Sequence, residues 1–339
     1  MELPYPYALF VGDADHLSAK TATGIAYWRP DRCIAQIALE GCTARLSLPK
    51  LQPGQAAEAG ARLLIVGVAN FGGRIAASWI PTLIESLAAG LDLAAGLHHR
   101  LADIPILAST AARLGRRLFD VRHPRPEQTA IATGRRRSGK RLLTVGTDCA
   151  VGKMFASLAI ARELLSRGRR ATFRATGQTG IFISGSGVSV DAVVSDFVAG
   201  AAEVLSPDNE PDHWDVIEGQ GSLHHPAYAG VTLGLIHGSQ PDALVLCSAV
   251  DRDRIDGYPD YPLPALQRAI EVNEHAARLT NPDARVVGIS LNTSALSEQR
   301  ALEYVTATQV TLGMPCCDPV RTGVGTIVDA LTAVRSRTT

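Results

Sequence analysis

Residues 146–154 read GTDCAVGKM. Glycines at 146 and 152 let backbone N–H groups converge on phosphate oxygens, and Lys153 stands where a helix N-terminus and an ammonium group would meet the outer phosphate. The next residue in such loops ordinarily carries a hydroxyl that holds magnesium between the β- and γ-phosphates. Here it is Met154, and a thioether does not suit magnesium, which takes oxygen ligands. The loop keeps a cradle for a diphosphate and lacks the metal ligand on which phosphoryl transfer depends. A diphosphate-bearing molecule that reacts elsewhere, such as coenzyme A, fits better than ATP hydrolysis, and no metal is expected.

The loop needs a strand before it and a helix after it, and the surrounding pattern supplies both. Apolar segments at 142–145, 171–173, 215–217, 243–248 and 286–291 alternate with helical stretches that include 154–167, 264–279 and 297–312. Upstream, "RLLIVGV" at 62–68 reads as a strand buried on both faces, followed by a glycine turn and a helix. "IPIL" at 104–107 reads as the next parallel strand, with Asp92 inside the preceding helix. Two prolines and a cluster of arginines and lysines interrupt the apolar pattern at 122–141. The expected architecture is α/β in two domains. An N-terminal Rossmann-like α/β domain covers 1–125, a solvated basic linker 126–140, and a P-loop NTPase-like doubly wound parallel sheet 141–339.

Lysine plus arginine equal aspartate plus glutamate, 33 each, so no global field draws the chain to nucleic acid or an anionic membrane. The six cysteines show no CxxC pair and no Cys/His zinc spacing. With no basic n-region and no apolar run of membrane-spanning length, a soluble cytoplasmic protein is expected. Its partners would be small-molecule substrates, and a homodimer is the commonest assembly.

The loop's wide spacing resembles the G-T-D-x-x-V-G-K-T loop of dethiobiotin synthetase and its relatives. Longer motifs carry a closer likeness: GTDCAVGKM itself, 173–207 beginning FRATGQTG, 216–246 beginning VIEGQGSLHHPAY, and LGMPCCDPVRTG at 312–323. Together with SAKTATGIAYWRPDRCIAQI and GVANFGG in the first half, they resemble the D-glutamate N-acetyltransferases (DgcN-type), formerly a P-loop family of unknown function. The resemblance implies acetyl transfer from acetyl-CoA to the α-amine of D-glutamate, an entry step in D-amino-acid catabolism. It puts the CoA diphosphate on Thr147, Asp148, Ala150, Val151, Gly152 and Lys153, beside Gly146 and Cys149, with Met154 matching the family's own loop.

Such a reaction needs a base for the amine and donors for the tetrahedral oxyanion. EGQGSLHHPAY follows an apolar strand, at the sheet edge where α/β sites lie. Glu218 occupies the place of an acidic residue near the phosphates in related P-loop enzymes, and His225 matches the family's His-Pro pair. Either is a candidate base; a turn-capping carboxylate and a backbone-satisfied histidine are the structural alternatives. The amides of Gly219, Gln220 and Gly221 are candidate oxyanion donors, with Gln220 and Ser222 near the substrate. Arg174, Thr176, Gln178 and Thr179 in FRATGQTG offer a fork for a carboxylate and neutral donors, unless Arg174 pairs with Asp191 or Asp196. Asn70 in GVANFGG is a further substrate candidate, in a turn too short in pattern to signify a dinucleotide. Cys149 could carry an acetyl group if the helix N-terminus lowers its pKa. RRRSGKR could attract the 3′-phosphate of CoA. Two rival readings remain: an ATP-dependent ligase or kinase resembling dethiobiotin synthetase, and a non-catalytic nucleotide-binding protein.

Overall fold

The computed structural model describes residues 3–331. The chain divides into two compact units, one comprising residues up to Pro124 with Gly177–Ala192, the other Arg125–Thr176 with Val193 onwards. The segment 177–192, contiguous in sequence with the second domain, thus clusters with the first.

The first unit is built on β1 (Tyr7–Gly12), β2 (Cys33–Ala38), β3 (Leu63–Val66), β4 (Asp92–Ala95) and β5 (Leu118–Asp120), in the order β2-β1-β3-β4-β5. All pairings are parallel, and β1 and β3 are buried along their whole length, as continuous apolar strands covered on both faces must be. Two expectations are corrected here. Asp92 opens β4 rather than lying in a helix, and its carboxylate accepts Arg117 N and Nε at 2.9 and 2.8 Å, holding the start of β5. The segment 104–107 begins the helix Pro105–Leu114. A proline at the first helical position loses no intrahelical bond and presets φ, and a four-residue apolar run does not by itself distinguish strand from helix. In GVANFGG, Gly67 lies so close to Ala22 that an added Cβ would stand 2.4 Å from that residue's own Cβ. The glycine serves packing.

The second unit contains β6 (Lys140–Gly146), β7 (Ala171–Arg174), β8 (Trp214–Ile217), β9 (Ala243–Ala249), β12 (Arg285–Asn292) and β13 (Cys316–Cys317), with a short antiparallel hairpin of β10 (Arg254–Ile255) and β11 (Tyr258–Pro262) between β9 and β12 in sequence. The six-stranded sheet is parallel and runs β13-β12-β9-β6-β8-β7. Ile160 and Leu164 of the helix Lys153–Ser166 pack with Leu142, Val216 and Val245 of the sheet and Ile327 of the last helix, each such side chain stabilising the unit by about 1.5–3 kcal/mol. Cys316 and Cys317 are buried free thiols.

The basic segment before β6 is exposed at 133–136, as a solvated linker would be, but it ends in a buried anchor. Arg137 is buried, and its guanidinium donates to the carbonyls of Glu203 (2.8 Å), Ser206 (2.6 Å) and Gly238 (2.5 Å). These oxygens lie at the C-terminal ends of the helices Val198–Leu205 and Ala229–Ser239, where carbonyls lack intrahelical partners and the dipole favours a cation. Arg141, within β6 and 1% exposed, donates to the loop carbonyls of Ser138 (2.9 Å) and Pro207 (3.0 Å). A fixed fork of five donors suits this work.

Candidate active site

β6 delivers Gly146 to the carboxyl edge of the sheet. Ala150 at φ 53° and Gly152 at φ 97° then reverse the chain into the helix Lys153–Ser166. Lys153 is buried, and Nζ lies back across the loop to donate to Asp148 O at 2.7 Å. Burial pushes its pKa down, opposed by Cys149, Cys247, Asp148 and Glu218. A bound diphosphate would supply the counter-charge that favours the ammonium form.

Two loop side chains expected near the diphosphate are engaged elsewhere. Thr147 Oγ1 donates to Ser248 Oγ at 3.0 Å. Asp148 is fully buried and receives Cys149 N on Oδ1 (2.6 Å), and Arg252 Nη1 (3.1 Å) and Asp256 N (2.9 Å) on Oδ2. It anchors the β10–β11 segment to the loop, and Arg252 offsets its charge.

The Cys149 thiol is pushed up by burial, with Lys153 lowering it and Asp148 raising it, which reverses the expected helix effect. A carboxylate oxygen of Asp148, Cys149 Sγ and a ring nitrogen of His225 lie within 4.8 Å of one another. The set does not suit a metal, since both Asp148 oxygens are committed and His225 Nδ1 accepts Ala227 N at 3.1 Å.

On the β8 side, Glu218 is buried, and Oε2 accepts Thr176 N at 2.9 Å. Thr176 Oγ1 donates to Glu218 O at 2.7 Å and receives Gln220 Nε2 at 3.3 Å. Thr176, Glu218 and Gln220 therefore form one cluster beside Lys153. Gly219 packs directly on β6, an added Cβ standing 1.7 Å from Thr144 O. Its N–H donates to Thr144 Oγ1 at 2.9 Å, which removes it from the candidate oxyanion donors. Ser222 organises the following turn: its Oγ accepts His224 N at 3.2 Å and its carbonyl accepts His225 N at 3.0 Å. The His225 ring lies 4.5 Å from Tyr228 and meets Tyr258 edge-on at 5.1 Å. Burial pushes its pKa down, with Asp148 and Asp256 acting the other way.

Arg174 pairs with Asp215 at 2.8 Å, and not with Asp191 or Asp196 as considered above. In the β7–β8 register Asp215 stands opposite Thr172, a diagonal neighbour within an arginine's reach. Asp191 is bound by Arg122. Gln178 and Thr179 belong to the first unit, where Gln178 Oε1 accepts Arg122 Nη2 at 3.3 Å and Thr179 Oγ1 donates to Thr21 Oγ1 at 3.2 Å. Asn70 also lies there, with Nδ2 donating to Arg74 O at 2.8 Å.

A cavity of about 240 Å³ that no sequence motif marks lies on the other flank of the loop, lined by Val151, Phe155, Ser290, Asn292, Ser294, Asp318 and Val320 among others. Asp318 shapes it by accepting Val320 N (2.8 Å) and Arg321 N (3.1 Å) on Oδ1, and Thr293 N (3.1 Å) and Oγ1 (2.5 Å) on Oδ2. Asn292 Oδ1 accepts Ser294 N at 3.1 Å, so its NH₂ is the remaining donor. The available signal was positional: Asn292 ends β12 and Asp318 follows β13, at the carboxyl edge where ligands bind.

Residues 37–124 match a Rossmann-like domain of unknown function, DUF1611_N, and residues 130–328 match its P-loop counterpart, DUF1611_C. The chain belongs to the DUF1611 family. Its relatives within that family include a D-glutamate N-acetyltransferase of Tritonibacter scottomollicae, 52% identical over 330 residues (97% of this chain and 99% of the relative). Another from a Pseudoalteromonas species is 48% identical over 331 residues, with the same coverage. The crystal structure of a DUF1611 family protein from Anabaena variabilis is similar throughout, with a TM-score of 0.87 at 35% identity over 97% of this chain and 99% of that one. The α/β architecture, with a Rossmann-like and a P-loop domain, is common to the family. Among the described residues no helix is long and apolar enough to cross a membrane.

Proposed function

We propose that this protein is an N-acetyltransferase that moves acetyl from acetyl-CoA to the α-amine of D-glutamate. The observation that carries the mechanism is the phosphate loop, with Lys153 in place and Met154 where a magnesium hydroxyl would stand. Its two flanks differ in kind. The apolar cavity beside Asn292 suits the nucleotide end of coenzyme A, and the titratable groups on the β8 side suit the thioester end. The names of the two relatives support the reaction and the acceptor.

In this reading the loop amides and Lys153 hold the diphosphate, Val151 and Phe155 cover the base, and Asn292 offers it a donor. Glu218 receives the proton that the ammonium form of the amine must lose before its nitrogen attacks the thioester carbonyl and returns it to the departing thiolate; the second proton, lost from nitrogen as the amide forms, goes to water. The product, N-acetyl-D-glutamate, would enter D-amino-acid breakdown.

The test is incubation with acetyl-CoA and a panel of D- and L-amino acids while following free thiol. Release with D-glutamate, undiminished by EDTA, is expected; no release with D-glutamate overturns the acceptor assignment. In thermal-shift measurements coenzyme A without magnesium should stabilise the protein. Stabilisation only by ATP with magnesium would favour a ligase.

A further inference from the structure

We infer that the guanidinium of Arg321 holds the 3′-phosphate of coenzyme A, and that this contact lets the site prefer coenzyme A to the same molecule without that phosphate. The inference rests on the acetyltransferase reading, with the diphosphate on the loop and the base in the cavity beside it, and names the residue that sets specificity there.

Val151 and Gly152 belong both to the phosphate loop and to the cavity wall. A nucleotide with its diphosphate on the loop and its base in the cavity therefore has its ribose at their boundary, with no flexible arm between. A phosphate on the 3′-oxygen of that ribose stands outside the cavity, at its rim. Two loops form the rim: 292–297, which ends β12 and carries no charged residue, and 318–323 after β13, whose charged residues are Asp318 and Arg321. Asp318 is buried beneath the four donors described above, so the charge this rim shows to solvent is that of the exposed Arg321.

The arginine is held in place from both ends. Its backbone N–H donates to Asp318 Oδ1 at 3.1 Å, and Nη2 donates to Leu296 O at 2.8 Å. The side chain thus crosses from one rim loop to the other, next in sequence to Val320 and two residues from Ser294, which both line the cavity. Nε and Nη1 keep their N–H groups for a ligand, and among the described residues no carboxylate pairs with this guanidinium. A guanidinium tied at one nitrogen has little freedom left to lose on binding, and its fork matches phosphate oxygens. A phosphate monoester carries about −1.5 to −2 charge at pH 7, which makes the contact charge-assisted on both sides.

The other cations are placed differently. Arg252 spends Nη1 on Asp148 and on Cys149 O, on the opposite flank. Arg300 lies in a neighbouring recess with Glu303. RRRSGKR, expected above to attract the 3′-phosphate, ends where β6 begins, about 20 Å along the strand from the loop. There Arg135 pairs with Asp208, and Arg137 and Arg141 are buried.

Calorimetric titration with coenzyme A and with 3′-dephospho-coenzyme A tests this. The unaltered protein should bind coenzyme A roughly tenfold more tightly, and Arg321→Gln should bring the ratio to within about twofold of unity while leaving the affinity for the dephospho form within about twofold. Arg321→Lys, which keeps the charge without the fork, should fall between, and Arg300→Gln should keep the full ratio. Equal weakening of both ligands by Arg321→Gln would mean that the arginine only braces the loops, and would overturn the inference. So would loss of the preference in Arg300→Gln with Arg321→Gln unchanged. Equal binding of the two ligands by the unaltered protein overturns this inference alone, whereas binding of neither overturns the coenzyme A reading and this inference with it.

Discussion

The two flanks of the phosphate loop hold buried carboxylates put to opposite uses. On the β12 side Asp318 accepts four hydrogen bonds from residues 293, 320 and 321 and so builds the wall of an apolar cavity. On the β8 side Glu218 accepts Thr176 N and contributes to the electrostatics of Lys153, in a cluster with Gln220 and close to the turn that carries His225. One flank is a shaped recess with few charges; the other gathers titratable groups. Burial alone therefore does not mark a catalytic acid. A carboxylate whose lone pairs are filled by backbone N–H groups is a scaffold, and candidates for chemistry are found where titratable groups face one another.

The contrast predicts that changes on the β8 flank act on rate and changes on the β12 flank act on affinity. The largest effect is expected from Glu218→Gln, which should lower kcat by about 10²–10⁴-fold and leave the KM for acetyl-CoA within about twofold; a large KM change with kcat intact would erase the distinction. Between the flanks, Lys153→Met removes a charge-assisted contact of about 1.5–3 kcal/mol, so coenzyme A should bind roughly 10–100-fold more weakly by calorimetry. Asn292→Asp keeps the oxygen that accepts Ser294 N and replaces the donor with a second acceptor. Its KM for acetyl-CoA should rise about tenfold with kcat unchanged, and a fall in kcat instead would move chemistry to this flank.

The smallest effect concerns pH. The folded-state pKa of His225 is held below the usual 6.5, so below that value the unfolded chain binds more protons than the folded one. The stability this provides is present above pH 6.5 and is lost as pH falls towards the folded-state value. Between about pH 7.5 and about pH 5.5 the Tm of the unaltered protein should drop slightly more than that of His225→Gln. Equal drops would mean that the histidine is not held neutral by its surroundings.

Much of this molecule was legible in contiguous stretches. The run LLTVGTDCAVGKM carries its own strand, glycines and helix start within 13 residues, and strand–loop–helix geometry is decided by neighbours along the backbone. The Rossmann-like and P-loop α/β domains, and the family likeness, followed from such stretches. The short run IPIL misled because its four residues satisfy either period and Pro105 decided the matter locally. The cavity escaped notice because its walls come from three segments, 151–155, 290–294 and 318–320, and only the strand order makes them neighbours.

The sequence by itself determined which backbone could cradle a diphosphate and that no hydroxyl follows Lys153, because both depend on residues adjacent in the chain. Only the tertiary structure decided what each charged side chain does. Asp148 meets Arg252 and Asp256 from more than 100 positions away, Arg174 meets Asp215 across a strand pair, and Arg137 meets the ends of two helices. A charge removed from water must find a partner, and which partner lies within reach is set by strand order and register.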